Sequence, residues 1–417
     1  MWCAWPTLHT RAQYIAIYVD LNIIHKKGIL FGHRGDFGMK RLQQVRLGVI
    51  GCGGMGTCHI NYLDKVKGVT LAAVADIDAD TVRKQVEKKP GLAGFSSGAE
   101  LMTSGRVDAV LIATPHYAHP PLTRLAFKHQ LHVLCEKPVA VTAQEAALTN
   151  RAYRKVEDRL LFAAMFNQRT STTWRKVKQM IDEGWLGNIT RANWIITNWF
   201  RSQAYYNSGG WRATWVGEGG GVLLNQCPHN LDLFQWFVGM PTEVTALVSL
   251  GKYHQIEVED DVTAIMKFKN GATGAFITST GESPGTNRLE ITGDRGRLVT
   301  DGGPTIEFIH TEQSVSEFCR TTPEAFATVP ASKMMIDVPP GPAWGGQHQQ
   351  VTQNFVNAIL HGEPLIAPGT EGIHGLELGN AMLMSGLLGQ PVKLPTPRAA
   401  YARMIDHLVK KSPARKT

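Results

Sequence analysis

The chain has little of what would mark a membrane, secreted or nucleic-acid-binding protein. No window offers some 18 or more uncharged apolar residues, so no transmembrane helix is expected. The nearest, Tyr14 to Phe31, is broken by Asp20, His25, Lys26 and Lys27. It also lacks the basic start, apolar middle and small-residue cleavage site of a secretory signal. Cysteine is sparse: Cys3, Cys52, Cys58, Cys135, Cys227 and Cys319 are scattered with no Cys-x-x-Cys pair. Reduced, structural thiols in a cytoplasmic protein are expected. No internal repeat is present.

A net charge of +8 suggests an acidic partner until its distribution is read. Residues 1–44 carry +4 and residues 393–417 carry +6, which leaves the body, 45–392, at −2. The basic character belongs to the two ends, so neither nucleic acid nor membrane is the expected partner. With 417 residues, 43% of them hydrophobic, the chain can build two domains with substantial cores.

Regular patterning starts near Arg41. Residues 1–40 read as an N-terminal extension outside the fold, with Met39 a candidate start. From Val45 strand and helix alternate: strand Val45–Ile50, helix 54–65, strand Leu71–Ala75, helix 79–88, strand Val107–Ala113. A helix at 118–129, the strand His132–Cys135, a helix at 142–157 and the strand Leu160–Ala164 continue the series. Alternation of this kind, with continuous apolar strands, predicts a doubly wound parallel sheet, a Rossmann domain over 41–167. Beyond 168 the grammar changes. A helix at 171–183, a long strand Ile189–Phe200 and a helix at 222–238 precede strands at 243–250, 260–269, 273–280, 287–292 and 296–300. Strands without crossover helices predict an α+β domain over 168–396 with a large, mostly antiparallel sheet. Helices near 347–361 and 370–388 close it, and 397–417 reads as a basic C-terminal tail.

Val45–Ile50 leads into Gly51-Cys52-Gly53-Gly54-Met55-Gly56, which fits G-x-G-x-x-G. Gly51 permits the tight turn, Gly53 lets the backbone approach a pyrophosphate, and Gly56 lets helix and strand pack closely. The pattern alone is weak in a glycine-rich chain. Its context is strong, because Asp76 stands at the end of the next strand, placed to accept hydrogen bonds from ribose hydroxyls and to repel a 2′-phosphate. NAD is therefore expected rather than NADP.

Two further motifs follow. Thr114-Pro115-His116-Tyr117-Ala118-His119 succeeds the strand at 107–113, and Glu136-Lys137-Pro138 ends the strand at 132–135. Strand carboxyl ends face the ligand crevice of such a sheet. A third motif, Gly219-Gly220-Gly221-Val222-Leu223-Leu224-Asn225-Gln226-Cys227-Pro228-His229-Asn230-Leu231-Asp232, is read as one helix presenting Asn225, His229 and Asp232 near one face. A histidine there can act as a general base with a pKa near neutrality.

In this order the motifs resemble the glucose–fructose oxidoreductase/inositol dehydrogenase/rhizopine catabolism family (Gfo/Idh/MocA), from Val45 to about Pro395. The resemblance implies that the threonine-proline segment lines the nicotinamide, that Lys137 is the catalytic lysine and that His229 is the catalytic histidine. Many members have Asp where this chain has Asn225, so Asn225 is expected to orient the substrate. The cofactor contacts expected are Gly51, Cys52, Gly53, Gly54, Met55, Gly56, Asp76, Thr114, Pro115, His116, His119, Glu136 and Lys137. Substrate contacts are expected from Lys137, Asn225 and His229, from the aromatic and arginine-rich residues Trp199, Tyr206, Trp211 and Arg212, and from Arg169. For Trp199, Tyr206, Trp211 and Arg212, anchoring of a loop or a subunit contact is the competing reading.

The expected activity is hydride transfer between a secondary hydroxyl of a sugar or cyclitol and nicotinamide. The alternative is an NAD-retaining glycosidase that works through transient oxidation; a third reading, a sensor without turnover, is opposed by the presence of both Lys137 and His229. His116, His119, His229 and Asp232 match no metal-ligand spacing, so no metal is expected. Relatives' use of the open sheet face implies a homodimer or homotetramer.

Overall fold

Six short strands form the first layer in a computed structural model, which describes residues 42–342 and 346–413. The expectations for residues 1–40, including a start at Met39, fall outside the described residues. The strands are β1 (Val45–Ile50), β2 (Val69–Ala75), β3 (Ala93–Phe95), β4 (Ala109–Ile112), β5 (His132–Cys135) and β6 (Phe162–Ala164). All are parallel, in the order β3-β2-β1-β4-β5-β6. The helices α1 (Gly54–Tyr62), α2 (Ala79–Lys88), α3 (Gly98–Thr103), α4 (His119–Lys128) and α5 (Ala143–Tyr153) connect them. This order reverses between β1 and β4, which opens a crevice at their carboxyl ends where dinucleotides bind.

The second layer follows α6 (Thr172–Asp182): β7 (Ile189–Ile196), α7 (Gln203–Tyr206), α8 (Pro228–Val238), β8 (Glu243–Leu250), β9 (Glu259–Lys267) and β10 (Thr273–Ser279). Then come β11 (Asn287–Gly293), β12 (Gly296–Thr300), β13 (Thr305–Thr311), α9 (Val315–Thr321), β14 (Ala331–Asp337), α10 (Gly346–His361), α11 (Gly372–Leu388), β15 (Val392–Lys393) and α12 (Arg398–Lys411). The sheet runs β14-β13-β12-β11-β7-β10-β9-β8-β15, antiparallel except for the parallel pair β7–β10. α8 and α11 cover one face, and α11 is buried nearly all round. The fold class is thus the expected one.

Four boundaries differ from expectation for physical reasons. β7 stops at Ile196, before the aromatic loop. The helix expected over 222–238 begins only at Pro228, a residue suited to the first helical position. Residues 222–226 form turns instead, because Glu259 captures the backbone ahead of it: Gly221 N and Leu223 N donate to Oε1 at 2.9 and 3.1 Å. The helix α10, expected inside the second domain, packs on the first, where Val351, Phe355, Val356 and Leu360 share a core with Val45, Leu47 and Val49. The segment 397–417, expected as a tail, contains α12. Its Tyr401 and Ile405, one turn apart, are buried in the second domain's core, and Arg398 is paired with Glu377 at 2.9 Å. Among the described residues no helix is long and apolar enough to cross a membrane.

Candidate active site

The glycine turn has the geometry its spacing requires. Gly51 has φ +90°, and a Cβ there would lie 2.6 Å from the Ala113 carbonyl oxygen. At Gly56 a Cβ would lie 1.8 Å from the Gly51 oxygen, so strand and helix meet backbone to backbone. Gly53 and Gly54 instead face open space, with nothing within 4 Å of an added Cβ. No side chain caps α1, which leaves its first N–H groups for an anion. Asp76 Oδ2 accepts from Cys52 N at 2.7 Å and Oδ1 from Asp78 N at 3.0 Å, so the acid is fixed at the edge of the turn. Met55 is 40% exposed, and Cys52 is buried. The side-chain oxygen of Thr114 is buried without a hydrogen-bond partner among the described residues. A pyrophosphate fits this cradle.

His119 corrects an expectation. Its two ring nitrogens lie 2.7 Å from the carbonyl oxygens of Pro138 and Thr114, so it ties the turn after β4 to the turn after β5 and has neither nitrogen left for a cofactor. Glu136 also points inward. One carboxylate oxygen lies 2.7 Å from His59 Nε2 and the other accepts from Lys137 N at 3.0 Å. His59 in turn bonds the Tyr62 hydroxyl, which shares a 2.8 Å hydrogen bond with Thr352 on α10. Despite burial, these bonds and the neighbouring charges hold the Glu136 carboxyl down at about 2. Glu136 therefore anchors the lysine beside it rather than reaching for a ligand.

Lys137 Nζ donates to the Asn225 carbonyl at 2.9 Å, across the boundary between the layers. Burial lowers its pKa, while Glu136 and Glu218 oppose that shift. His229, at the second position of α8, lies close enough to feel the ammonium. Burial and Lys137 push it down to about 3, not the near-neutral value expected. Its Nδ1 has no partner among the described residues. Asp232, further along the same helix, makes no bond to His229 among the described residues, because it has another partner.

That partner is Arg169, which is buried and makes a two-pronged pair with Asp232, Nε to Oδ2 and Nη2 to Oδ1 both at 2.7 Å. Its third arm reaches Glu371 at 2.6 Å. Arg169 is thus a clamp under α8 and not the expected crevice ligand. Tyr206 is likewise an anchor: it is buried, and its hydroxyl bonds Thr280 at 2.8 Å. Trp199 donates to Asn230 at 3.3 Å, on the helix that carries His229. Trp211 packs edge-on to His116, with ring centres 5.9 Å apart. Arg212 stacks over Trp211 and Tyr205 at 4.8 and 4.7 Å. Of the aromatic segment, Arg212 lies near enough to act on the Lys137 charge, and Trp211 stands beside it.

Asn225 lies in the turn ahead of α8, not on its face. Its amide donates to Glu218, a buried acid that no spacing singles out. Glu218 Oε2 accepts from Ala213 N at 2.7 Å, and its carbonyl oxygen lies 3.0 Å from His116 Nδ1. Its sequence signal is slight: a lone acid before three glycines. His348, at the start of α10 with its ring centre 5.9 Å from His59, is likewise unmarked in the sequence. Among the described residues no group of three or more His, Cys, Asp or Glu is placed to hold a metal ion.

The open glycine turn, the acid ending the second strand and the lysine ending the fifth define a dinucleotide-dependent oxidoreductase. The chain belongs to the Gfo/Idh/MocA family: the model of an oxidoreductase family with an NAD-binding Rossmann fold matches residues 45–163, and the model of the GFO/IDH/MocA C-terminal domain matches residues 174–299. The chain is 27% identical over 360 residues to the myo-inositol 2-dehydrogenase of Thermotoga maritima, covering 84% of this chain and 98% of that protein. To the inositol 2-dehydrogenase of Rubrobacter xylanophilus it is 26% identical over 371 residues, covering 87% and 98%. Its fold matches the WlbA dehydrogenase of Bordetella pertussis, solved with NADH and UDP-GlcNAcA, with a TM-score of 0.69 at 23% identity, covering 84% and 99%. It is an enzyme, an oxidoreductase whose cofactor is NAD.

Proposed function

We propose that the chain is an NAD-dependent dehydrogenase that oxidises a secondary hydroxyl of a sugar or cyclitol. The observation that carries this reading is the bond of Lys137, from the first layer, to the Asn225 carbonyl three residues before α8, the helix of the second layer that carries His229. Two inositol dehydrogenases among the relatives and a sugar-nucleotide complex among the structural neighbours support the substrate class.

NAD seated on the α1 turn supplies the hydride acceptor. Asp76 would receive the adenosine ribose hydroxyls, and Thr114 and Pro115 would border the nicotinamide. Lys137 spends one N–H on Asn225 and has two more to offer a substrate oxygen. His229, kept neutral by its surroundings, takes the hydroxyl proton at a ring nitrogen. Trp211 and Arg212 pack on and bond to the sugar. What the residues contribute is orientation and proton handling.

A second copy of the chain covers the open face of the nine-stranded sheet in this reading, where Leu247 of β8 and Ile265 of β9 are 77% and 61% exposed. Light scattering on the eluting protein tests this; a monomer at micromolar concentration overturns it. For the activity, the protein is mixed with NAD and a panel of sugars, inositols and glycosides, and NADH and aglycone are followed together. NADH formed in step with a ketone product is expected. Aglycone released with no net NADH overturns the reading.

A further inference from the structure

We propose that Glu218 is a positioning residue for Lys137: through the Asn225 amide it fixes the carbonyl that holds the lysine, and it places a carboxylate beside the ammonium. The inference rests on the reading of Lys137 as the group that meets the substrate oxygen.

Glu218 is 1% exposed, and a carboxylate so placed is costly unless its oxygens are bonded. One oxygen is met by the Asn225 amide and the other by Ala213 N. Ala213 holds φ +51°, a left-handed conformation that a residue with a Cβ rarely adopts, and it is this backbone that turns the N–H toward Glu218. Asn225 then passes the constraint on, since its carbonyl accepts from Lys137 Nζ at 2.9 Å. Asn225 is engaged twice: its side-chain amide donates to the acid and its backbone carbonyl accepts from the lysine.

Several charged or titratable groups surround the lysine. Glu136 on its own strand end, Glu218 and Cys227 favour the ammonium, and Arg212 opposes it. His116 and His119 from the turn after β4, His229 on α8 and His348 on α10 all feel the lysine's charge. Of the two carboxylates, Glu136 is tied to His59 and to the Lys137 backbone. Glu218 is the one that reaches the side chain's own hydrogen-bond partner.

The test reads the lysine without turnover. Lys137 is partly exposed, so a small amine-reactive acylating reagent can label it, and mass spectrometry gives the labelling rate against pH. Glu218→Gln keeps the shape and removes the charge. The labelling midpoint is expected to fall by about one pH unit, as expected when one nearby anion is removed from a partly buried ammonium. NADH affinity, measured by fluorescence titration, is expected to stay within about twofold of the parent, because no atom of Glu218 lies on the glycine turn. Glu218→Asp keeps the charge but withdraws it by one methylene, and a smaller shift in the same direction is expected. Circular dichroism establishes that each variant is folded. An unshifted or raised midpoint in folded Glu218→Gln overturns the proposal; where that variant does not fold, an unshifted Glu218→Asp does so. Failure to oxidise any sugar would count against the proposed function and leave this result standing.

Discussion

Replacing Arg169 by leucine separates a structural clamp from a substrate ligand. In the folded chain Arg169 gives two bonds of 2.7 Å to Asp232, which is fully buried, and one of 2.6 Å to Glu371, whose side chain is 41% exposed. Without the guanidinium, Glu371 is rehydrated at little cost, but Asp232 keeps, among the described residues, only the Gln235 amide at 3.2 Å. Breaking one side of a buried pair costs about 3–5 kcal/mol. In a protein of this size that lowers the melting temperature by about 3–6 °C.

The sign with pH is fixed. Burial already pushes the Asp232 carboxyl up against the pull of Arg169, and the variant pushes it higher. An acid with a raised folded-state pKa binds more protons folded than unfolded, so the penalty is absent below the unfolded pKa of about 4 and grows as pH rises through the folded one. Melting followed by calorimetry is therefore expected to separate the variant from the parent more at pH 8 than at pH 5. A melting point within about 2 °C of the parent at pH 8, together with a large rise in KM for the sugar, would refute the clamp.

Other predictions follow from the same geometry. Lys137→Met is expected to lower kcat/KM by about 10³-fold while NADH binding stays within a few-fold, checked by steady-state kinetics and fluorescence titration. Gly56→Ala puts a Cβ 1.8 Å from the Gly51 oxygen and is expected to cost about 1–3 kcal/mol of stability and to weaken NADH binding, checked by thermal melting and titration. His229, pushed down to about 3, is expected to stay neutral through the working range, so the pH profile of kcat/KM should show no His229 limb near pH 6.5; imidazole NMR of the free enzyme checks this directly.

What is legible in the sequence is what short spacing encodes. The glycines from Gly51 to Gly56, the alternating strands and the placement of Lys137 at a strand end all follow from neighbours within a few residues. Arg169, Glu218 and α10 depend on pairings the chain makes at long range. Arg169 meets partners 63 and 202 residues away, and no local period announces them. The start of α8 shows both cases together. Pro228 marks it locally, while the pull of Glu259 on Gly221 and Leu223, which keeps the helix from beginning earlier, comes from a strand more than thirty residues on. His119 reads as available in sequence because nothing there shows that two backbone carbonyls already claim it. The pKa of His229 escapes the sequence for a similar reason, since its burial beside Lys137 exists only in the folded chain.

The most direct test of the account follows the reacting hydrogen itself. With a substrate found by the NAD screen, deuterated at the carbon bearing the oxidised hydroxyl, NMR of the product dinucleotide is expected to show one deuterium at nicotinamide C4 for each NADH formed, with that transfer collapsing in Lys137→Met. Deuterium recovered in water, or product formed with no label in the dinucleotide, would contradict it.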